Sequence, residues 1–328
     1  MRTFISILIF VLIVFLYLHI IHQFKRSEDL EIYEMDYVNN GHLQEVCDVK
    51  QPVLFDFILE GTENLNMETI AKMHGSHECK IKDTHDYWNA ESVDYVVFPL
   101  QTAHKLFLND AKSHYYTENN EIMVEDSGLA KPLQDVDEFL KPRFCAQTKY
   151  DVLAGSDGVG LPLRYHLNYR YFLMVTSGKL QVKMTPWKSR KYLHTIKDYE
   201  NFEFRSPFNV WNPQKQYKDD MEKLRFVDFE VHAGQVLYIP PYWWYSIKFS
   251  KHTTICAITY NSVMNVVAHC PYWGMYFVQQ QNIKKKMAKT LDLEQFSTVD
   301  NKDKESKDGG EQIQKHMEND HNIVVNVL

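Results

Sequence analysis

The five cysteines, Cys47, Cys79, Cys145, Cys256 and Cys270, are scattered, with no CxxC pair and no zinc-ligand spacing. An odd, dispersed set does not make a disulfide scaffold, and it leaves the redox compartment open. No N-x-[ST] sequon occurs in the 328 residues, which weakens the case for a glycosylated lumenal domain. Basic excess is missing too: 36 Lys and Arg stand against 43 Asp and Glu, a net charge of -7. That balance offers no broad attraction to a phosphate backbone, so no nucleic-acid partner is expected. There is no internal repeat.

What the chain does have begins with a long apolar run. From Phe4 to Leu18 every residue is apolar or aromatic except Ser6, with Tyr17 the other polar handle. His19 interrupts, Ile20 and Ile21 extend the run, and His22, Gln23, Phe24, Lys25 and Arg26 end it. Residues 4–21 at about 1.5 Å each reach roughly 27 Å, near the short end of what spans a bilayer. Residues 1–26 therefore read as an uncleaved single-pass anchor, with the lipid bilayer as the partner of 4–21. A cleaved signal peptide is the rival reading and a buried core helix the bland one. Against cleavage, the run is long for a signal peptide and no small-x-small site follows it. Arg2 and the α-amine on one side nearly balance Lys25 and Arg26 on the other, so the flanking charges set no orientation.

Residues 27–46 are acidic and polar and read as a linker from the anchor into a domain over 47–285. The stretch 286–328 is expected to be a polar, disordered tail, with 299–322 nearly free of large apolar groups. Within the domain, Pro52 introduces a strand in 47–60, 93–100 reads as a strand, 101–110 as a short helix and 131–142 as another helix between Pro132 and Pro142. From Val152 the pattern becomes regular. Strands are expected in 170–187 about a turn at Ser177-Gly178, and in 223–231, 235–240, 244–249 and 253–261. Short aromatic and β-branched runs between turn residues predict an antiparallel sandwich or barrel.

Two segments then carry a resemblance: 155–187, containing Pro162-Leu163-Arg164-Tyr165-His166, and 230–249, containing Gly234, Pro240-Pro241 and Trp243-Trp244. They resemble the JmjC-like cupin fold of Fe(II)/2-oxoglutarate oxygenases, in particular the protein-hydroxylase-like subset. The resemblance covers roughly 45–265 and implies a mainly β domain with flanking helices, a double-stranded β-helix, which follows the transmembrane helix read from the apolar run. Hydroxylases of this kind often dimerise, which leaves room for a homodimer.

The same resemblance implies an iron site of two histidines and a carboxylate: Pro-Leu-His-x-Asp on one strand and a histidine after Trp-Trp. This chain departs from it. Arg164 stands at the first histidine and His166 at the carboxylate; shifted by two, His166 is followed by Asn168, an amide in place of the carboxylate. Tyr245 takes the last histidine, and a phenol must lose a proton with an ordinary pKa near 10 to bind iron. The basic residue expected two places after the strand-turn glycine is Leu180, with Lys179 one residue early and Lys183 further along.

Four altered polar positions predict that the metal site is gone and that neither Fe(II) nor 2-oxoglutarate binds. If any metal bound, His166, Asn168 and Tyr245 would hold it. Arg164, a fixed cation, would repel Fe(II); it could attract an anion or pair with a carboxylate such as Glu230. Pocket candidates are Arg164, His166, Tyr171, Tyr245 and Asn261. His166 also reads as a histidine hydrogen-bonded inside the barrel, His232 as a solvent-facing turn residue, and Trp243-Trp244 as packing. The H-x-x-H-x-C run at His74, His77 and Cys79 has no matching second pair to make a metal site. The expected function is non-catalytic: a membrane-anchored domain in binding or structure, for an unidentified protein or small-molecule partner. The alternative is an atypical oxygenase that hydroxylates or demethylates a protein through Fe(II) and 2-oxoglutarate.

Overall fold

A computed structural model describes residues 2–89, 95–199 and 201–285; the expected disordered tail, 286–328, lies outside them. By internal contacts the chain divides into Met1–Phe277, which holds both sheets, and Val278–Leu328, of which only the end of one helix is described.

In chain order the elements are α1 (Arg2–Gln23), β1 (Tyr33–Met35), α2 (Asn40–Cys47), β2 (Val53–Asp56), α3 (Met67–Met73), β3 (Glu78–Asp83), α4 (Thr84–Asn89) and β4 (Tyr95–Pro99). Then come α5 (Leu100–Asn109), β5 (Tyr115–Thr117), α6 (Glu121–Asp126), α7 (Ala130–Asp135), α8 (Asp137–Leu140), β6 (Cys145–Gly155) and β7 (Arg164–Tyr165). The regular region holds β8 (Arg170–Ser177), β9 (Lys179–Thr185), β10 (Ile196–Asp198), β11 (Glu203–Arg205), α9 (Lys218–Met221), β12 (Val227–His232), β13 (Gln235–Ile239), β14 (Trp244–Phe249) and β15 (Thr254–Ser262). Helices α10 (Val263–Ala268) and α11 (Cys270–Lys285) follow.

The strands form two sheets. One runs β1-β2-β13-β8-β15-β6-β5-β3-β4, the other β10-β11-β7-β14-β9-β12. Pairing is antiparallel throughout except between β1 and β2, which are parallel. Successive strand side chains point to opposite faces, so each strand offers alternate residues to a core. Leu180, Val182 and Met184 on β9 lie opposite Phe249, Ile247 and Tyr245 on β14. These residues share one buried cluster with Leu173, Val175, Leu237 and Ile255 of the larger sheet. That shared core holds the two sheets together. A second cluster packs the helices onto the outer face of the larger sheet, and a third, rich in aromatics, covers the smaller one.

Gly178 turns β8 into β9. Its φ is +71°, and a Cβ there would lie 2.6 Å from Thr253 Oγ1 and 2.8 Å from its Cα, so both conformation and closeness demand glycine. The expected strands over 170–187, 235–240, 244–249 and 253–261 are present nearly to the residue.

Elsewhere the sequence expectations need correction. The strand expected in 47–60 shrinks to β2, because α2 runs through Cys47. The single helix at 131–142 is two short ones, α7 and α8, broken at Val136. The segment expected as a linker, 27–46, is built into the domain: β1 adds an edge strand beside β2, and Leu43 of α2 is fully buried. Asn39 caps α2, its side chain accepting from the His42 amide.

Helix α1 is the one helix among the described residues long and apolar enough to cross a bilayer: over Thr3–Gln23 its mean hydropathy is 3.0, and its membrane-length window is unburied. Length and composition are consistent with membrane attachment.

Candidate functional site

At one end of the shared core the apolar layer gives way to polar groups. Arg205 on β11, Arg164 on β7 and Tyr245 on β14 stand side by side in register, so the smaller sheet presents them in one row. His166, two residues beyond Arg164, shares its facing. Tyr171 comes from β8 of the opposite sheet, and its ring lies 4.9 Å from that of His166 and 6.1 Å from that of Tyr245. The structure thus brings together four of the five pocket candidates: Arg164, His166, Tyr171 and Tyr245.

Asn261 belongs elsewhere. Its oxygen accepts from the Tyr169 amide at 3.1 Å, and its amide donates to Gln147 at 3.2 Å and to Asn168 at 3.5 Å. It ties the loop before β8 to the ends of β6 and β15.

Arg164 defines the site. Its two terminal nitrogens donate to the two oxygens of Glu118, at 2.9 and 2.6 Å, and one of them also reaches Glu203 at 3.4 Å. Lys82 donates to Glu118 at 2.9 Å from the other side. Glu118 and Lys82 are 3% and 6% exposed, and Arg164 8%. Glu230, the carboxylate expected for Arg164, instead pairs with Lys179 at 2.9 Å on the surface. That expectation fails because β12 turns Glu230 away from the interior, where Val231 sits.

The charges are tightly matched. Burial alone would push the Glu118 carboxyl up, but Arg164 and Lys82 hold it far below the usual carboxylate range. Burial likewise opposes the Lys82 charge, and Glu118 restores it, leaving the ammonium more basic than usual. Tyrosines close the cluster: Tyr116 donates to the Tyr87 hydroxyl at 2.8 Å, and Tyr87 donates to Glu203 at 3.3 Å. Burial raises both phenols, and the neighbouring carboxylates raise them further.

An iron does not fit these residues. Arg164 is a paired cation. His166 faces the Ile239 carbonyl through Nε2 at 3.1 Å, and burial lowers its pKa to about 3; the neutral imidazole with Nδ1 unbonded could ligate, but only as a single donor. The Tyr245 phenol is raised by burial, although Arg164 beside it pulls the other way. Asn168 offers an amide oxygen that lies 3.5 Å from Asn261. Among the described residues, no group of three or more His, Cys, Asp or Glu gathers where it could hold a metal ion.

The positions for 2-oxoglutarate fare no better. Leu180 is fully buried, Lys179 pairs with Glu230, and Lys183 reaches the Val210 carbonyl at 3.4 Å and Asp228 at 3.6 Å. None places a cation in the interior.

The remaining candidates settle as ordinary structure. His74 and His77 stack edge to face at 5.7 Å while Cys79 is buried in the outer core, so the three do not converge. His232 is on the surface, its side chain 58% exposed. Trp243 and Trp244 are buried, the first donating to the Lys50 carbonyl at 3.2 Å. A cavity of about 680 Å³ opens at the other end of the sheets, lined by Asn66, Lys72, His104, Phe107, Asp157 and His252.

Sequence reasoning missed Glu118, Lys82 and Glu203. Glu118 directly follows β5, a three-residue strand; the aromatic Tyr115-Tyr116 pair beside Thr117 is the local signal for it. Nothing local links it to Arg164, 46 residues on.

No curated protein matches the chain. The model of the cupin-like domain family matches residues 45–266, two thirds of the sequence, a span that takes in both sheets save β1 and the whole polar cluster. The chain belongs to the cupin-like domain family.

Proposed function

We propose that this is a single-pass membrane protein whose cupin-like domain is a JmjC-like double-stranded β-helix that has given up iron chemistry and serves in binding or structure. The observation that carries the reading is the Arg164–Glu118 pair. A guanidinium occupies the position where the resembling enzymes place their first histidine ligand, and it is locked there by two short, charge-assisted hydrogen bonds. A buried carboxylate bound this way is not free to move to a metal, and the fixed positive charge opposes one. The strand order supports the fold assignment: β6, β8, β13 and β15 lie in one sheet and β7, β9, β12 and β14 in the other, so from β6 to β15 the chain crosses between the sheets at every step except from β9 to β12. The apolar run of α1 supports the anchor.

The test is metal binding by the full chain, purified in detergent and loaded anaerobically with Fe(II), with and without 2-oxoglutarate. Folded protein without stoichiometric iron is the expected result. Near-stoichiometric iron that disappears in His166→Ala would overturn the reading and return the domain to the oxygenases.

A further inference from the structure

The helices after the last strand carry a surface that the polar cluster does not use. From His252 to Ile283 the sequence has no Asp, Glu, Lys or Arg, although charged residues make up 24% of the chain. For β15 this is expected, because the strand is buried. For α10 and the first turns of α11 it is not. Val263 and Val267, one turn apart on α10, are 50% and 43% exposed, and Cys270 and Phe277, two turns apart on α11, extend that exposed, uncharged surface. A helix facing water ordinarily carries charges on that side.

Helix α1 indicates what covers this face. It packs against α10, and the chain leaving it is fastened to the domain at once. Gln23 is buried, and the Phe24 ring meets that of His269 at 5.5 Å. The Arg26 guanidinium lies 4.5 Å from the Trp187 ring and 4.2 Å from the Tyr242 ring. Two residues later, Glu28 accepts from the Lys188 amide at 2.9 Å. No slack separates helix from domain. Packed helices lie roughly 8–10 Å apart, so a bilayer around α1 brings its surface to α10. Tyr272, Trp273 and Tyr276 follow on α11, residue types that favour the headgroup level.

Resting on the reading of α1 as an anchor, we propose that α10 and the start of α11 lie in the headgroup region of the same bilayer. Val263, Val267, Cys270 and Phe277 are the contacting side chains. The domain sits on the membrane by the Ser262 end of β15, and the 250–253 turn points away from it, about 30 Å off along nine strand residues.

The exposed Cys270 provides the probe. In a Cys145→Ser background the other three cysteines are buried, so an environment-sensitive fluorophore attaches at Cys270. The full chain is placed in phosphatidylcholine vesicles carrying a headgroup-level nitroxide lipid. A second sample carries the label at His252→Cys with Cys270→Ser. Quenching several-fold stronger at 270 than at 252, and weakened in a folded Val267→Asp variant, is expected. Equal quenching at the two sites would overturn the proposal. So would efficient Cys270–Cys270 cross-linking without lipid quenching, which would make a second copy of the chain the cover. Alkaline carbonate extraction separates the two levels: a chain that washes off refutes the anchor itself, whereas one that stays with an unquenched Cys270 refutes only the seating.

Discussion

Arg164 on β7 and Glu118, the residue after β5, meet through two hydrogen bonds of 2.9 and 2.6 Å inside the domain, although the two strands belong to different sheets. Their pairing places a matched buried cation and anion where the resemblance would put a metal. It also makes the carboxylate more important than the guanidinium, because Glu118 serves Lys82 as well, whereas Arg164 has a second carboxylate in Glu203.

That asymmetry orders two substitutions. Glu118→Gln strips two buried cations of their shared partner and should destabilise the domain by about 3–5 kcal/mol, the usual penalty for breaking a buried pair. Arg164→Met leaves Glu118 paired with Lys82 and should be milder. Thermal unfolding of the two variants checks this; an equal or reversed order would contradict the shared role of Glu118.

Acid should unfold the domain through the same carboxylate. Glu118 has a folded pKa well below its ordinary value of 4.5. Its stabilisation is therefore complete above about 4.5 and is lost as pH falls through the depressed folded value. Asp151 acts in the opposite sense. Burial raises it to about 6, against the amides of Asn120 and Asn119 that hold its charged form. Its ionisation costs stability as pH rises from about 4 to 6, on the order of 1–3 kcal/mol. Melting temperature against pH should lose that slope in Asp151→Asn and keep the steep fall at lower pH.

Lys50 is a second buried charge, and a poorly matched one. It is fully buried, its amino group has no hydrogen bond, and Asp48 is 3.9 Å away. Burial, with Arg170 adding to it, brings its pKa down to about 7. A lowered lysine pKa means the penalty is full below pH 7 and fades as pH rises toward the ordinary 10.5. Lys50→Met should therefore stabilise the protein by about 1–4 kcal/mol near and below pH 7 and by progressively less above it. Destabilisation at neutral pH in chemical unfolding would show that the ammonium is better partnered than this.

Reinstating the ligands tests whether the backbone still supports a metal. Arg164→His, His166→Asp and Tyr245→His together supply the two histidines and one carboxylate of the resembling enzymes, and leave Glu118 neutralised by Lys82. The triple variant should bind Fe(II) while the native chain does not, as measured by metal content after anaerobic loading of folded protein. Failure of the folded variant to bind would mean that the strands no longer converge as the resemblance implies.

Local pattern was enough for the second half of the domain. Strands β8, β9 and β13 to β15 are short aromatic and β-branched runs bounded by Gly178, Gly234 and Pro240, and their alternation declares which side chains face a core. The positions that the resemblance gives to metal ligands, Arg164, His166 and Tyr245, were legible for the same reason: they sit at set distances from glycine, proline and tryptophan landmarks along the chain. The apolar run of α1 is also a purely linear feature.

What tertiary structure alone decided is partnership. Arg164 required a carboxylate, and the sequence offered 43 acidic residues; Glu230 lay nearer a recognisable motif than Glu118 did. The choice was made by β5 joining the larger sheet beside β6, which carries Glu118 across to the smaller one. In the same way, Gln23 to Glu28 read as the end of an anchor and the start of a linker until the fold laid them against Trp187, Lys188, Tyr242 and His269. Periodicity reports which way a side chain faces, because that is a property of the local backbone. It carries no information about which distant segment arrives on that face, and a buried charge is stable only through what arrives.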